Sequence, residues 1–408
     1  MLVQLAQAKP RTPGRIDANA AALQFLDEHL RRLRQLPAHG NRILQYDQLL
    51  IALLLSFFDP TVRSLRLIEH CGNFKGRIDL DRLARSTTAD ALAAFDPSHL
   101  QPVIADLQRR AGQLRKKSEG LLGICWRIIA ADGTYLTTLA DVAWALKHHR
   151  SDGKIQAQVR LNVQLDVESW TPELISVSGD DGSEPAAFTK DLRSDVLYVL
   201  DRNFVDFAFL RALLEKHNHF VLRIKANAPA MEAVQSLPLS SADIEAGVQS
   251  DQIVMLAGVD APEGRFRLVV IHTTDRCGKP QIIRLLSDLD SQLSSAQLIG
   301  EIYQQRWQIE LFFKWLKTWA NLDHLLSTSR NGITFQFYVA VIAVLLMYLQ
   351  MGRRVSRYAI FLLNRLHNGQ ITMAQMMSSL EKLEREKSRA RERAAQRRAE
   401  KKKTSQLR

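Results

Sequence analysis

Only three cysteines occur in 408 residues. Cys71, Cys125 and Cys277 stand far apart with no Cys-x-x-Cys spacing, so neither a zinc site nor a disulfide framework is supported, and a reducing cytosol fits. Residues 1 to 15 lack the apolar core of a secretion signal, and no run reaches the roughly 18 to 20 apolar residues that span a bilayer. The nearest run, Phe335 to Leu349, is interrupted by Gln336 and reads as a short buried core helix. No Gly-x-x-x-x-Gly-Lys loop, Gly-x-Ser-x-Gly elbow or Gly-x-Gly-x-x-Gly turn is present, which leaves ATP dependence, acyl transfer and dinucleotide chemistry without support. Acids are in deficit: 43 Asp and Glu face 55 Lys and Arg, a formal charge of +12. Such a field favours a polyanion, either nucleic acid or, less specifically, an acidic membrane surface. With no spanning segment, a cytoplasmic, nucleoid-associated protein is expected.

What is there is a large foldable chain. Hydrophobic residues make up 46%, and the length exceeds what one core usually organises, so a catalytic core with an accessory domain or large insertion is expected. Residues 16 to 115 show apolar spacing of three and four in Leu30 to Leu36, Leu49 to Phe58 and Leu65 to Ile68, the mark of a helical domain. Within it, Leu80 to Arg85, then Ser86, Thr87 and Thr88, then Ala89 to Phe95 resembles helix, turn, helix. Thr87 would cap the second helix with Asp90 at the capping-box position, and that helix would enter a DNA groove. A helix pair that merely packs has the same pattern.

Near residue 124 the character changes. Ile124 to Ala131, the alternating Ile155 to Val167 and Glu173 to Val177 read as three consecutive strands. Val196 to Leu200 is a fourth strand, Phe204 to His217 a helix and Phe220 to Ile224 a fifth strand, which together predict an α/β fold with a mixed sheet. Residues 226 to 292 read as a β-rich insertion carrying Ile253 to Leu256, Phe266 to Ile271 and Ile282 to Leu286 between turn clusters. A long helix over 295 to 319 returns to the core. The domain assignment is therefore a helical DNA-binding domain over 1 to 120, a catalytic core over 121 to 350, C-terminal helices over 351 to 380 and a basic tail over 381 to 408. That tail has twelve Lys or Arg against five Glu, a net of +7. It is too polar to fold alone, and it suits either a frayed solvated helix or non-specific phosphate contact.

The helix from Tyr303 to Lys317 gathers its polar residues into one stripe. At about 100° per residue, Arg306, Glu310, Lys314 and Lys317 lie at roughly −60°, −20°, +20° and −40° from Tyr303. Ile302, Ile309, Phe313, Leu316 and Ala320 form a separate apolar face. A solvated helix can carry such a stripe with Glu310 and Lys314 as a simple i,i+4 pair. Trp307, Phe312, Phe313, Trp315 and Trp319 argue instead that this helix is surrounded, so that Glu310 needs partners.

Two other acids supply candidates. Asp132 follows the apolar Ile128 to Ala131 and precedes Gly133 and Thr134; Asp201 follows Val196 to Leu200 and precedes Arg202, Asn203 and Phe204. Singly, each reads as a strand-end turn residue. Three carboxylates within roughly 4 Å would repel by several kcal/mol at an effective protein dielectric and require cations. All-oxygen ligation suits hard ions such as Mg²⁺ or Mn²⁺, and two of them about 3.5 to 4 Å apart support in-line phosphoryl displacement. Tyr303, Arg306, Lys314 and Lys317 would contact phosphates, with Arg202 beside Asp201 and Thr87 and Thr88 in the helical domain as further DNA-binding candidates.

Asp132-Gly133-Thr134, Asp201-Arg202-Asn203-Phe204 and Tyr303-x2-Arg306-x3-Glu310-x6-Lys317 resemble the DDE signature and Tyr-Arg-Glu-Lys motif of bacterial insertion-sequence transposases of the insertion-sequence-four group. The resemblance is strong over residues 124 to 350. It implies a ribonuclease-H-like core with a β-strand insertion between the second Asp and the Glu, and metal ligation by Asp132, Asp201 and Glu310. It also implies a DNA grip by Tyr303, Arg306 and Lys317 and a homodimer holding paired transposon ends, the partners being terminal inverted repeats and target DNA. Asn203 stands where members commonly carry Gly, and Asn tolerates the left-handed backbone such a turn would need. The rival readings are a nuclease or resolvase of the same fold and a domesticated DNA-binding protein without chemistry. Elsewhere, His148 and His149 read as solvated loop, and His217 and His219 as helix-end caps.

Overall fold

The computed structural model describes residues 18–36, 44–57, 64–70, 83–114, 124–138, 142, 144–149, 155–179, 183–226, 229–274, 278–319, 322, 324–351, 358–359, 361–362, 365 and 370–406. The chain divides into two compact units, one of residues 1–85 with 355–408 and one of 86–354.

The larger unit is built on a ten-stranded sheet. Its strands are β1 (Arg127–Thr138), β2 (Leu146–His149), β3 (Ile155–Asp166), β4 (Thr171–Ser178), β5 (Val196–Leu200), β6 (His219–Ile224), β7 (Met231–Ser236), β8 (Val248–Leu256), β9 (Phe266–Thr274) and β10 (Pro280–Ser287). β3 pairs antiparallel with both β1 and β4, β1 runs parallel to β5, and β5 runs parallel to β6. The resulting spatial order β4-β3-β1-β5-β6 is three antiparallel strands followed by two parallel ones, the ribonuclease-H-like arrangement. β2 adds a short antiparallel strand to β3, so His148 and His149 belong to a strand rather than a loop. The β-rich insertion is no separate module. β10 pairs antiparallel with β6, and β9, β8 and β7 follow it outward in the same sheet.

β1 is longer than its apolar run. Asp132 is not at its end, because β3 continues as an antiparallel partner through Thr138↔Ala157. The parallel ladder with β5, by contrast, stops at Ala130↔Val199. β3 is also buried on both sides. Val159, Leu161, Val163 and Leu165 are inaccessible as their alternation predicts, but so are Asn162 and Gln164, with Arg160 and Asp166 nearly so. These polar side chains lie under cover because each finds partners. Asn162 Nδ2 donates to Ser178 Oγ at 3.1 Å, Gln164 Nε2 to the Asp191 carbonyl at 2.9 Å, and Tyr198 Oη to Gln164 Oε1 at 2.9 Å.

Helices α1 (Ala18–Arg34), α2 (Tyr46–Phe57), α3 (Leu65–His70), α4 (Arg85–Ala94) and α5 (Gln101–Gln113) make the N-terminal stretch helical where it is described. The helical segment does not behave as one domain to residue 120, since α5 and nearly all of α4 belong to the larger unit. Nor do Ser86, Thr87 and Thr88 form a turn: α4 starts at Arg85 and runs through them, leaving Thr88 at 1% exposure and unavailable to a groove. Leu80, the start of the proposed first helix, lies outside the described residues.

α6 (Glu184–Thr189), α7 (Phe207–Glu215) and α8 (Ser241–Glu245) connect the strands, and α9 (Ala296–Gln304) and α10 (Trp307–Trp319) replace the single long helix expected. The break falls at Gln305 and Arg306, whose amides bond three residues back, to Ile302 and Tyr303 carbonyls. α11 (Arg330–Met351) is 22 residues long, longer than its sequence run suggested. By length and apolarity it could cross a membrane, but 83% of its most apolar window is buried, packed on α5 and β4. In the smaller unit, Arg34 Nε meets Asp47 Oδ2 at 2.8 Å between α1 and α2, and α12 (Met373–Gln406) is one continuous helix that includes most of the basic tail.

His217 ends α7 in the left-handed region at φ 55°, as a helix-end residue does. His219 instead lies on β6, with Nδ1 2.7 Å from Asp288 Oδ2. A fully buried ion pair ties β8 to β9. Arg267 and Asp251, at 3% and 5% side-chain exposure, meet at 2.5 Å. Arg267 also donates to the Ser294 carbonyl at 2.7 Å, at the threshold of α9. Arg267→Met leaves the Asp251 carboxylate buried and uncompensated, which costs about 3 to 5 kcal/mol; chemical denaturation should show that loss, and a change below about 1 kcal/mol would contradict it.

Candidate active site

The site begins with strand register. Because β1 and β5 are parallel and paired through Ala130↔Val199, Asp132 and Asp201 lie two residues beyond that last pair on neighbouring strands, at the same end of the sheet. Val196 to Leu200 is buried throughout, which fixes the strand, and Asp201 follows at the point where the chain leaves the core. Asp201 Oδ1 accepts the Asn203 amide at 2.6 Å and caps a 3-10 turn over Arg202–Phe204. Asn203 is not left-handed, so the capped turn, rather than tolerance of positive φ, explains how Asn substitutes for Gly here.

Glu310 comes from the first turn of α10, which packs on β1 and β3. Ile309, Phe312, Phe313, Trp315 and Leu316 bury its apolar face, and Trp170, at the β3–β4 turn, meets Phe312 and Trp315 edge to face at 5.3 and 6.1 Å. The helix is surrounded as its aromatic content predicts. Arg306, immediately before α10, links the acids: Nη2 donates to Glu310 Oε1 at 2.5 Å and Nη1 lies 3.7 Å from Asp132 Oδ2. With 9% side-chain exposure, this guanidinium faces carboxylates rather than solvent. Tyr303 is buried against it, 5.8 Å from ring centroid to guanidinium carbon, and burial raises its phenol above the ordinary value.

Electrostatics confirm the crowding. Asp132 is pushed up to about 7, first by burial and then by Glu184, with Arg306 and the Gly133 amide pulling it down and Asp201 adding to the rise. Glu184 is a carboxyl that sequence reading missed. It opens α6 from a polar loop, and its pKa is also raised, by burial first, against the lowering effect of Arg160. Of the other expected contacts, Lys314 and Arg202 are exposed. Lys317 Nζ donates to the Tyr135 carbonyl at 3.0 Å, tethering α10 to β1.

The donors are all carboxylate oxygens, and a buried acid near neutrality beside like charges is one that a hard divalent cation would ionise. The fit is chemical. Among the described residues no three acids lie at ligating distance of one point, and Arg306 stands between Asp132 and Glu310.

The model of the transposase DDE domain matches residues 125–346. The probable transposase for insertion sequence element IS5377 of Geobacillus stearothermophilus is 29% identical over 205 residues, 50% of this chain and 51% of that protein. The putative transposase for insertion sequence element IS4SA of a Synechocystis strain is 25% identical over 297 residues, 71% and 78% of the two chains. The chain thus spans about half the length of the first relative and more of the second. The piggyBac transposase synaptic complex with hairpin DNA aligns over 93% of this chain and 81% of that one at 10% identity, with a TM-score of 0.41. With its family model covering more than half the sequence, the chain belongs to the DDE transposase domain family. Membership implies a general dependence on divalent metal ions.

The raised pKa of Asp132 has a thermodynamic consequence in chelator. A carboxyl whose folded pKa stands near 7, above its unfolded value of 3.8, binds its proton more tightly when folded. Its contribution favours folding at low pH and is lost as pH climbs from about 4 through 7. Asp132→Asn should therefore raise the melting temperature at pH 8 and change it little at pH 4, with about 4 kcal/mol as the upper limit from the size of the shift. Equal effects at both pH values would contradict the assignment.

Proposed function

We propose that the chain is a DNA transposase that cleaves at the ends of a mobile element and joins the freed 3′ ends to target DNA. The observation that carries this reading is the register of β1 and β5, which sets Asp132 and Asp201 side by side while Arg306 ties Asp132 to Glu310. Asp132, Asp201 and Glu310 would hold two Mg²⁺ or Mn²⁺ ions. When bound, such ions activate a water or 3′-hydroxyl and stabilise the departing oxygen. Arg306 keeps Asp132 and Glu310 compensated, and its planar fork would suit a phosphate once ions took over those acids. The exposed Lys314 and Arg202 form a cationic rim for the duplex backbone, and Tyr303 buttresses Arg306. Lys317 secures α10 against β1 through Tyr135 and so sets the height of Glu310. The helical segment before residue 120 recognises terminal repeats, two copies pair the ends, and the Lys- and Arg-rich tail adds sequence-independent phosphate contacts.

Single Ala replacements of Asp132, Asp201 and Glu310 should each lower strand cleavage by about two orders of magnitude or more, the loss typical of one preorganised electrostatic group. Binding to a terminal-repeat duplex should stay within about threefold of wild type. Cleavage at the wild-type rate by any of the three removes that residue from the site, and cleavage without joined products favours a nuclease of the same fold.

A further inference from the structure

A carboxyl outside the expected trio faces the same pair of aspartates from the other side of the sheet. We propose that Glu184 is a positioning residue of this site: reaching through the gap left by Gly133, it raises the affinity of Asp132 and Asp201 for a divalent cation. The inference rests on the reading that these two aspartates hold the ion.

The gap is specific. A Cβ on residue 133 would lie 2.5 Å from Glu184 Oε1 and 3.2 to 3.3 Å from Arg160 Cδ and Cγ, so any residue but glycine would displace the carboxylate. Gly133 follows Asp132 directly, so strand β1 is bare where Glu184 approaches it. Asp132 pairs across to Val163 and Gly133 to Asn162, which sends their side-chain directions to opposite faces. Glu184 therefore acts from the face that Arg306 and Glu310 do not occupy.

The approach is clamped. Phe188, one turn along α6, is fully buried in the core beneath β5, and Pro185 is buried too. Arg160 holds the segment: Nε donates to Ser178 Oγ at 3.2 Å and Nη2 to the Ser183 carbonyl at 3.4 Å, next to Glu184 itself. Arg160 also favours the ionised Glu184. Asp132, Asp201, Glu184 and Glu310 gather around the site, and Glu184 adds to the negative field at Asp132. Replacing Glu184 by a neutral residue removes one acid from the surroundings of the ion.

The test is Mn²⁺ binding to the full chain in the absence of DNA, followed by calorimetry and by the electron paramagnetic signal of free Mn²⁺. Glu184→Gln, which keeps shape and removes charge, should weaken binding about 10- to 100-fold, the range for groups that act on a metal through its ligands. Melting in chelator reports any separate effect on the fold. Gly133→Ala should produce a similar loss in the wild-type background and none beyond that of Glu184→Ala when the two are combined, because the clash is then gone. Independent, additive losses would overturn the gap argument. Wild-type Mn²⁺ affinity in Glu184→Gln, with binding lost in Asp132→Ala, would overturn the role of Glu184 alone. Retention of binding in Asp132→Ala would remove the site reading and this inference with it.

Discussion

Everything at this site follows from like charges being forced together by backbone pairing. The parallel ladder between β1 and β5 sets Asp132 and Asp201 level, and neither strand can slip without turning its buried residues outward. The repulsion is thus built in by the backbone register. Arg306 answers it in part, and the Asp132 carboxyl stays pushed up to about 7, by burial first, then by Glu184 and least by Asp201. A site that is incompletely neutralised in the resting protein is poised to take up positive charge.

That incompleteness distinguishes this arrangement from an ordinary buried ion pair. Arg267 and Asp251 compensate one another one to one, with Ser294 completing the donors of the guanidinium, and their role is to fix β8 and β9 at the entry to α9. Arg306 is shared between two acids at unequal distances, 2.5 and 3.7 Å. The tighter contact is to Glu310 on the neighbouring helix, and the looser one is to the strand. Such asymmetry leaves Asp132 the more readily released.

Much of this was legible beforehand. The all-apolar β5 and its terminal Asp201 were read to the residue, because five consecutive buried positions followed by an acid leave little ambiguity. The aromatic face of α10 correctly signalled burial. Other features depended on distant partners. Gly133 and Thr134 look like a turn, and only the long antiparallel β3 keeps them in a strand. No Gly or Pro marks the break at Gln305 and Arg306, and the apolar period runs on through it. Thr87 and Thr88 have cap chemistry, yet the helix starts before them. Glu184 is one acid among several in a polar stretch, and its hint lay elsewhere, in a glycine directly after Asp132 that the strand itself did not require.

The outer strands carry a mechanical implication. β10 is bonded on one edge to β6 and on the other to β9, so the strands between Asp201 and Glu310 share one continuous sheet with β1 and β5. A load applied at the far edge, Met231–Ser236, is carried through successive rows of amides to the strand beside β5. The segment is accordingly a stiff outrigger, and a duplex leaning on it would press directly upon the acidic end of the sheet.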